Sequence, residues 1–127
     1  MEGTLSGGKK WASGVINTSI YVWGSDTNPN RSEFITLNLP FTPSLIFINN
    51  VEINTGYDRT ERTSIDSSLT ESNKGVVTTY GYKYGISFWM SEISALGFRM
   101  NIYRSHGTGD NSNRSISFEN STWYAFE

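Results

Sequence analysis

The chain has 127 residues, 14% of them aromatic and only 17% charged, with a formal net charge of -2 and no cysteine. That length suits one domain with a real core, and the weak negative charge offers nothing to a phosphate backbone, which argues against nucleic-acid binding. Without cysteine there are no disulfides, thiolate metal sites or cysteine nucleophiles, and no apolar run approaches the ~18 residues that would insert into a membrane.

Residues 1–10 read as a flexible N-terminal linker or an appended start, because Met1 to Gly8 lacks the apolar centre of a signal peptide. Residues 11–127 read as a single antiparallel β-sandwich, jelly-roll-like, in an all-β chain. Gly, Ser, Thr and Asn fill most of the sequence outside the aromatics, and they favour short strands and polar turns over helices. The first strand is Val15 to Trp23, with a break at Asn17-Thr18-Ser19. Ser25 to Asn30 is dense in turn formers. Glu33 to Leu39 alternates, placing Ile35, Leu37 and Leu39 on one face. Pro40 and Pro43 then interrupt, since proline cannot donate to a ladder. Ser44 to Val51 contains the continuous run Leu45-Ile46-Phe47-Ile48, which predicts a strand buried on both faces.

From Asn54 to Gly75 the chain is almost wholly polar and reads as a long loop, either a recognition loop or a solvated insertion. Val76 to Tyr84, Ile86 to Glu92, Phe98 to Tyr103 and Ser115 to Phe118 complete the internal strands, and Ser91 to Leu96 is long enough for one helical turn. The chain closes on Ser121-Thr122-Trp123-Tyr124-Ala125-Phe126-Glu127. So aromatic an ending must pack into a sheet or against a partner. Strand-like segments near both termini suit a compact module cut from a longer protein. About eight strands at this spacing predict a sandwich.

Tyr80, Tyr82 and Tyr84 fall at i, i+2 and i+4 and would share one strand face. Exposed, the row is a platform on which sugar rings stack their C–H faces. Covered, it is ordinary cross-strand packing. Tyr57, Arg59 and Arg62 in the polar segment are the other candidate ligand contacts. Trp89 lies between Phe88 and Met90, so its strand carries apolar groups on both faces. Trp89, Trp123, Tyr124 and Phe126 are therefore candidates for a contact between subunits.

No chemistry-bearing constellation survives inspection. Asp26, Asn28 and Asn30 have the opening spacing of a Ca²⁺ loop, but Arg31 stands where Gly is needed and Leu37 where Glu is needed. A plain Asx-type turn is expected there instead, and Asp110 to Asn113 is a poorer match still. His106 lies in a polar loop with nothing to mark a nucleophile or an orienting carboxylate. Glu52 and Glu92 sit at strand ends without a spacing that pairs them across a cleft. Gly3, Gly8 and Lys9 mimic a phosphate loop, but Lys10 occupies the hydroxyl position. Asn17, Asn30, Asn113 and Asn120 open glycosylation sequons that only a secreted eukaryotic protein would use. No catalytic residue, metal or cofactor is expected.

Trp11-Ala12-Ser13-Gly14 opens a strand, and Leu39-Pro40-Phe41-Thr42-Pro43-Ser44-Leu45-Ile46-Phe47 steps into an apolar one. Ile86-Ser87-Phe88, Leu96-Gly97-Phe98-Arg99-Met100-Asn101-Ile102 and Trp123-Tyr124-Ala125-Phe126-Glu127 follow in that order. From Trp11 onward this arrangement resembles the C-terminal domains of bacteriophage tail-fibre and baseplate proteins. The resemblance implies a non-enzymatic β-sandwich at the tip or periphery of a phage tail, often trimeric. Its partners would be bacterial cell-surface glycan or other tail proteins. It would be made in the bacterial cytoplasm and carried in the virion. It transfers no binding residue. A stand-alone carbohydrate-binding module, with the tyrosine row as its platform, is the alternative. A small hydrolase would need His106, Glu52 or Glu92 to act.

Overall fold

A computed structural model describes residues 1–5, 7–22, 28–56, 59–79, 84–105 and 113–127. The strands among them are β1 Glu2–Thr4, β2 Lys10–Ile16, β3 Ser19–Val22, β4 Asn30–Thr36, β5 Leu45–Gly56 and β6 Arg59–Asp66. They continue with β7 Gly75–Thr79, β8 Tyr84–Ser91, β9 Gly97–Ser105, β10 Arg114–Ser117 and β11 Ser121–Phe126. There is no helix among the described residues. The strands form two antiparallel sheets, and one of the sheets curls into a half-barrel. The larger sheet has seven strands in the order β1-β2-β11-β5-β10-β3, with β6 on the other edge of β5. The smaller has four, in the order β4-β9-β8-β7.

The larger sheet is simpler than its strand count suggests. β10 and β11 pair with successive stretches of β5, Ser117 opposite Glu52 and Trp123 opposite Ile48. The same two strands pair in turn with β3 and β2. Three long lines of chain therefore run side by side and all bend at one level. The bend is built from small polar residues. Asn50 and Asn120 take left-handed backbone angles, φ 52° and 65°, which Asn tolerates better than most residues. Asn50 Nδ2 donates to Asn120 O at 3.1 Å, and Ser121 Oγ donates to Asn50 O at 3.0 Å. Asn49 Oδ1 accepts from Thr122 N at 2.8 Å, and Thr18 O accepts from Phe118 N at 2.9 Å. Backbone groups that the bend takes out of the ladder thus find partners nearby, as buried or half-buried amides require.

Alternation puts one face of each sheet into the core, reset in β5 by the irregularity between Ile48 and Val51. Ile46, Ile48, Val51 and Ile53 of β5 face Ile86, Phe88 and Met90 of β8 and Phe98, Met100 and Ile102 of β9 in one buried cluster. Trp123 and Ala125 join it from β11, while Thr122, Tyr124 and Phe126 between and beyond them are half-buried on the opposite face. Arg114 is fully buried at the start of β10 and donates Nε to Gly85 O in the smaller sheet at 2.9 Å. That bond links the two sheets at the end where β3, β5, β7 and β9 finish.

Several sequence expectations change. The run Leu45 to Ile48 is buried on one face only, because Leu45 is 39% exposed and Phe47 half-buried. The polar stretch from Asn54 to Gly75 is not one loop. It holds the end of β5 and all of β6, paired from Phe47 opposite Asp66 to Gly56 opposite Arg59. An edge strand can be polar on both faces, since only its backbone needs the neighbour. Of the expected strand Val76 to Tyr84, Val76 to Thr79 lie in β7, and Tyr84 opens the antiparallel β8 opposite Thr79. Ser91 to Leu96 makes no helix. A turn closes there instead, with Ser94 N donating to Gly97 O and Gly97 N to Ser94 O. Glu2–Thr4, within the expected linker, pairs with Lys10 to Ala12 of β2.

Candidate functional site

The outer face of the smaller sheet carries the most suggestive surface. Met90 lies opposite Met100 and Phe88 opposite Ile102, all facing the core. The residues between them must point outward. Trp89 lies opposite Asn101 on β9, and Asn101 lies opposite Ser32 on β4, so the three form one outward row across three strands. Asn28 and Asn30 close one end of this row. Together with Arg31, Ser32, Trp89, Asn101 and Ile102 they line an open cleft of about 260 Å³.

The polar groups of the cleft are held in place by their own bonds. Asn28 Oδ1 accepts from Asn30 N at 2.9 Å and from Asn30 Nδ2 at 3.3 Å, the Asx-type turn expected from the sequence. Asn101 Nδ2 donates to Ser91 Oγ at 2.9 Å and to Trp89 O at 3.3 Å, which fixes the amide beside the indole. Lys74 Nζ stands 4.7 Å from the centre of the Trp89 ring, a cation–π contact that holds one face of the indole. Arg99 Nη1 lies 3.4 Å from Ser32 Oγ, while its Nε is paired with Glu92. No carboxylate lines the cleft among the described residues. An aromatic wall beside amides, a hydroxyl and cations can stack an apolar ring face and hydrogen-bond its edge.

No protein-family model, curated protein or solved structure matches this chain. What the site does must therefore be argued from its own chemistry.

The residues singled out in the sequence are scattered. Tyr57, Tyr80 and Tyr82 lie outside the described residues, as do Asp26 and His106. Tyr84 is the first residue of β8, in the smaller sheet. Arg59 and Arg62 lie on β6 of the larger sheet, Arg62 bonded to Glu52 at 2.7 Å with both side chains well exposed. An ion pair so exposed contributes at most about 1 kcal/mol, which leaves Arg62 available for other work. Trp123 is in the core, whereas Trp89 borders the cleft. Sequence reasoning did not assemble Asn28, Asn30, Ser32, Asn101 and Lys74 around Trp89. Alternation within Phe98 to Tyr103 already puts Asn101 on the face away from Phe98, Met100 and Ile102, but only the register brings β4 and β8 beside it.

A second surface lies on the outer face of the larger sheet. Trp11, Phe126 and Leu45 are directly opposite one another across β2, β11 and β5. The next outward row holds Ser13, Tyr124 and Phe47, and the Tyr124 and Phe47 ring centres are 6.3 Å apart. Val15, 68% exposed, extends the stripe.

Proposed function

We propose that this chain is a non-enzymatic module of a phage tail fibre or baseplate, used to attach to a glycan on the bacterial surface. The Trp89 cleft carries the reading. It offers an indole flanked by Asn28, Asn30, Ser32 and Asn101, the combination that suits a sugar ring. A jelly-roll-like arrangement belongs to the same proposal. Its support is the nested pairing of the first long line of chain with the last, β2 with β11, and of β4 with β9 in the other sheet. The virion is then the working location, after synthesis in the bacterial cytoplasm. A stand-alone carbohydrate-binding module would use the same cleft, and a free glycan-binding monomer would favour it.

A fluorescent fusion tested on a panel of bacterial strains checks the attachment reading. The expected result is selective binding that falls about tenfold or more in Trp89→Ala, the size expected for truncating an aromatic anchor. Thermal stability should change little, because Trp89 faces outward. Unchanged binding in the variant would remove the cleft from the argument.

A role in joining tail subunits rests on the other surface. The stripe of Trp11, Leu45 and Phe126 with Tyr124 and Phe47 is contiguous, and such patches mark contacts between chains. The expected assembly is a homotrimer with Tyr124 and Phe126 at or near the contact. Light scattering on the purified chain should give three chain masses, reduced to one by the pair Tyr124→Ser and Phe126→Ser. A monomeric wild-type chain would end the trimer proposal.

A further inference from the structure

We infer that the free edge of β7, with the groove beside it, takes an extended segment of a partner chain as an added strand of the smaller sheet. β7 pairs with β8 on one side and, among the described residues, with no strand on the other. The ladder fixes which backbone groups face that open side. Met90 lies opposite Met100 of β9, yet its N–H donates to Leu69 O, away from β9. Alternation turns the backbone groups of Phe88 and Ile86 the same way, toward Gly75 and Val77. The N–H and C=O groups of Val76 and Thr78 therefore point out of the sheet. Proteins usually blunt such an edge with charge, proline or a bulge. β4, the other edge of this sheet, carries Arg31 and Glu33, and β6 carries Arg59, Glu61 and Arg62. β7 reads Gly75-Val76-Val77-Thr78-Thr79, without charge or proline, and Val76 is 58% exposed.

The larger sheet reaches past this edge. On β6, Glu61, Thr63 and Ile65 lie opposite Ile53, Val51 and Ile48 and so share the inward face. Ile65 is buried, whereas Thr63 and Glu61 are exposed, because no described strand of the smaller sheet lies over them. This uncovered strip walls an open groove of about 360 Å³, floored by Ile65, Leu69, Val77 and Phe88. A strand added to β7 finds its hydrogen-bonding partners at Val76 and Thr78 and lays alternate side chains over that floor. Glu61 is the carboxylate on the inward face of β6, and no ion pair engages it among the described residues. Arg62, on the other face, is tied to Glu52. The occupant is therefore an extended segment with apolar or β-branched residues at alternate positions and a lysine or arginine at the end nearest Glu61.

The test uses the whole chain and capped, fluorescein-labelled heptapeptides. In them threonine alternates with two valines and a lysine, the lysine standing first or last of the three, and matching peptides carry glutamate for lysine. One lysine peptide should bind with a Kd below about 1 mM and slow the exchange of the Val76 and Thr78 amide protons. Its glutamate counterpart should bind about threefold more weakly, the size of an exposed charge pair, and Glu61→Lys should reverse that order. Val76→Pro should weaken binding of every peptide about tenfold or more while leaving the urea midpoint close to that of the wild type, because proline is tolerated where a strand N–H faces solvent. Thr78→Pro carries the same expectation and serves if Val76→Pro disturbs β7. Binding that survives both proline variants, or no binding by any of the peptides, overturns the inference. Self-association that Val76→Pro abolishes, and that the pair Tyr124→Ser and Phe126→Ser leaves intact, overturns the partner segment in favour of a second copy of this chain.

Discussion

A chain truncated after Thr122 will not fold. The missing residues are the greater part of β11, which is an interior strand of the larger sheet and not a tail. Trp123 to Phe126 pair on one side with Gly14 to Trp11 and on the other with Ile48 to Leu45. Even Glu127 is engaged, its N–H donating to Lys10 O at 2.9 Å and its carbonyl accepting from Ser44 Oγ at 2.9 Å. Deletion would strip Trp123 and Ala125 from the core and leave the facing edges of β2 and β5 without partners. Emptying a buried Trp site costs about 3–5 kcal/mol on its own. Each ladder hydrogen bond lost adds about 1 kcal/mol. Against a typical total of about 5–15 kcal/mol for a domain, the sum leaves nothing. Far-ultraviolet circular dichroism with urea denaturation checks it. The truncated chain should lack a cooperative transition. A cooperative transition with only the assembly state altered would mean that the ending serves contacts between chains and not the fold.

The sequence already held much of this architecture, and what it withheld has physical reasons. Alternation in Phe98 to Tyr103 and in the C-terminal segment identified strands and their inward faces, because one buried face imposes a period of two; in Glu33 to Leu39 it held only as far as Thr36, where β4 ends, and Asn38 beyond it is left-handed at φ 54°. The break near Asn17 and Thr18 was visible in composition and is the place where β2 gives way to β3. β6 was not visible. Its residues from Arg59 to Ser64 are exposed on both faces, so no burial pattern records the backbone bonds to β5 that define it. Val76 to Tyr84 alternates well enough, yet β7 ends at Thr79 and Tyr84 opens β8 opposite it, a pairing that alternation alone does not announce. The cleft was the least legible part. Asn28, Trp89 and Asn101 are far apart in the chain and meet only through the registers of β4, β9 and β8. Register between distant strands is a tertiary fact, not a local one.

Gly14 provides the sharpest test of how the core is packed, because the sign of one substitution should depend on another. Gly14 lies opposite Trp123 on the inward face. A Cβ at Gly14 would stand 2.8 Å from Trp123 Cζ2 and 2.9 Å from its Cε2 and Nε1, closer than van der Waals contact allows. Gly14 is not among the positive-φ glycines, so its backbone would accept alanine, and the ring alone excludes it. Gly14→Ala should therefore destabilise by about 1–3 kcal/mol, the usual cost of overpacking. Trp123→Leu removes the indole atoms in question while keeping an apolar side chain. In that background Gly14→Ala should stabilise by about 0.5–1 kcal/mol, because alanine loses less backbone entropy on folding than glycine. Urea denaturation of the four proteins gives the coupling directly. The expected interaction energy is about 1.5–4 kcal/mol, in or above the upper part of the range for residues in contact. Additive effects would mean that Gly14 is required by its backbone, and that the indole does not lie over β2 as the register demands.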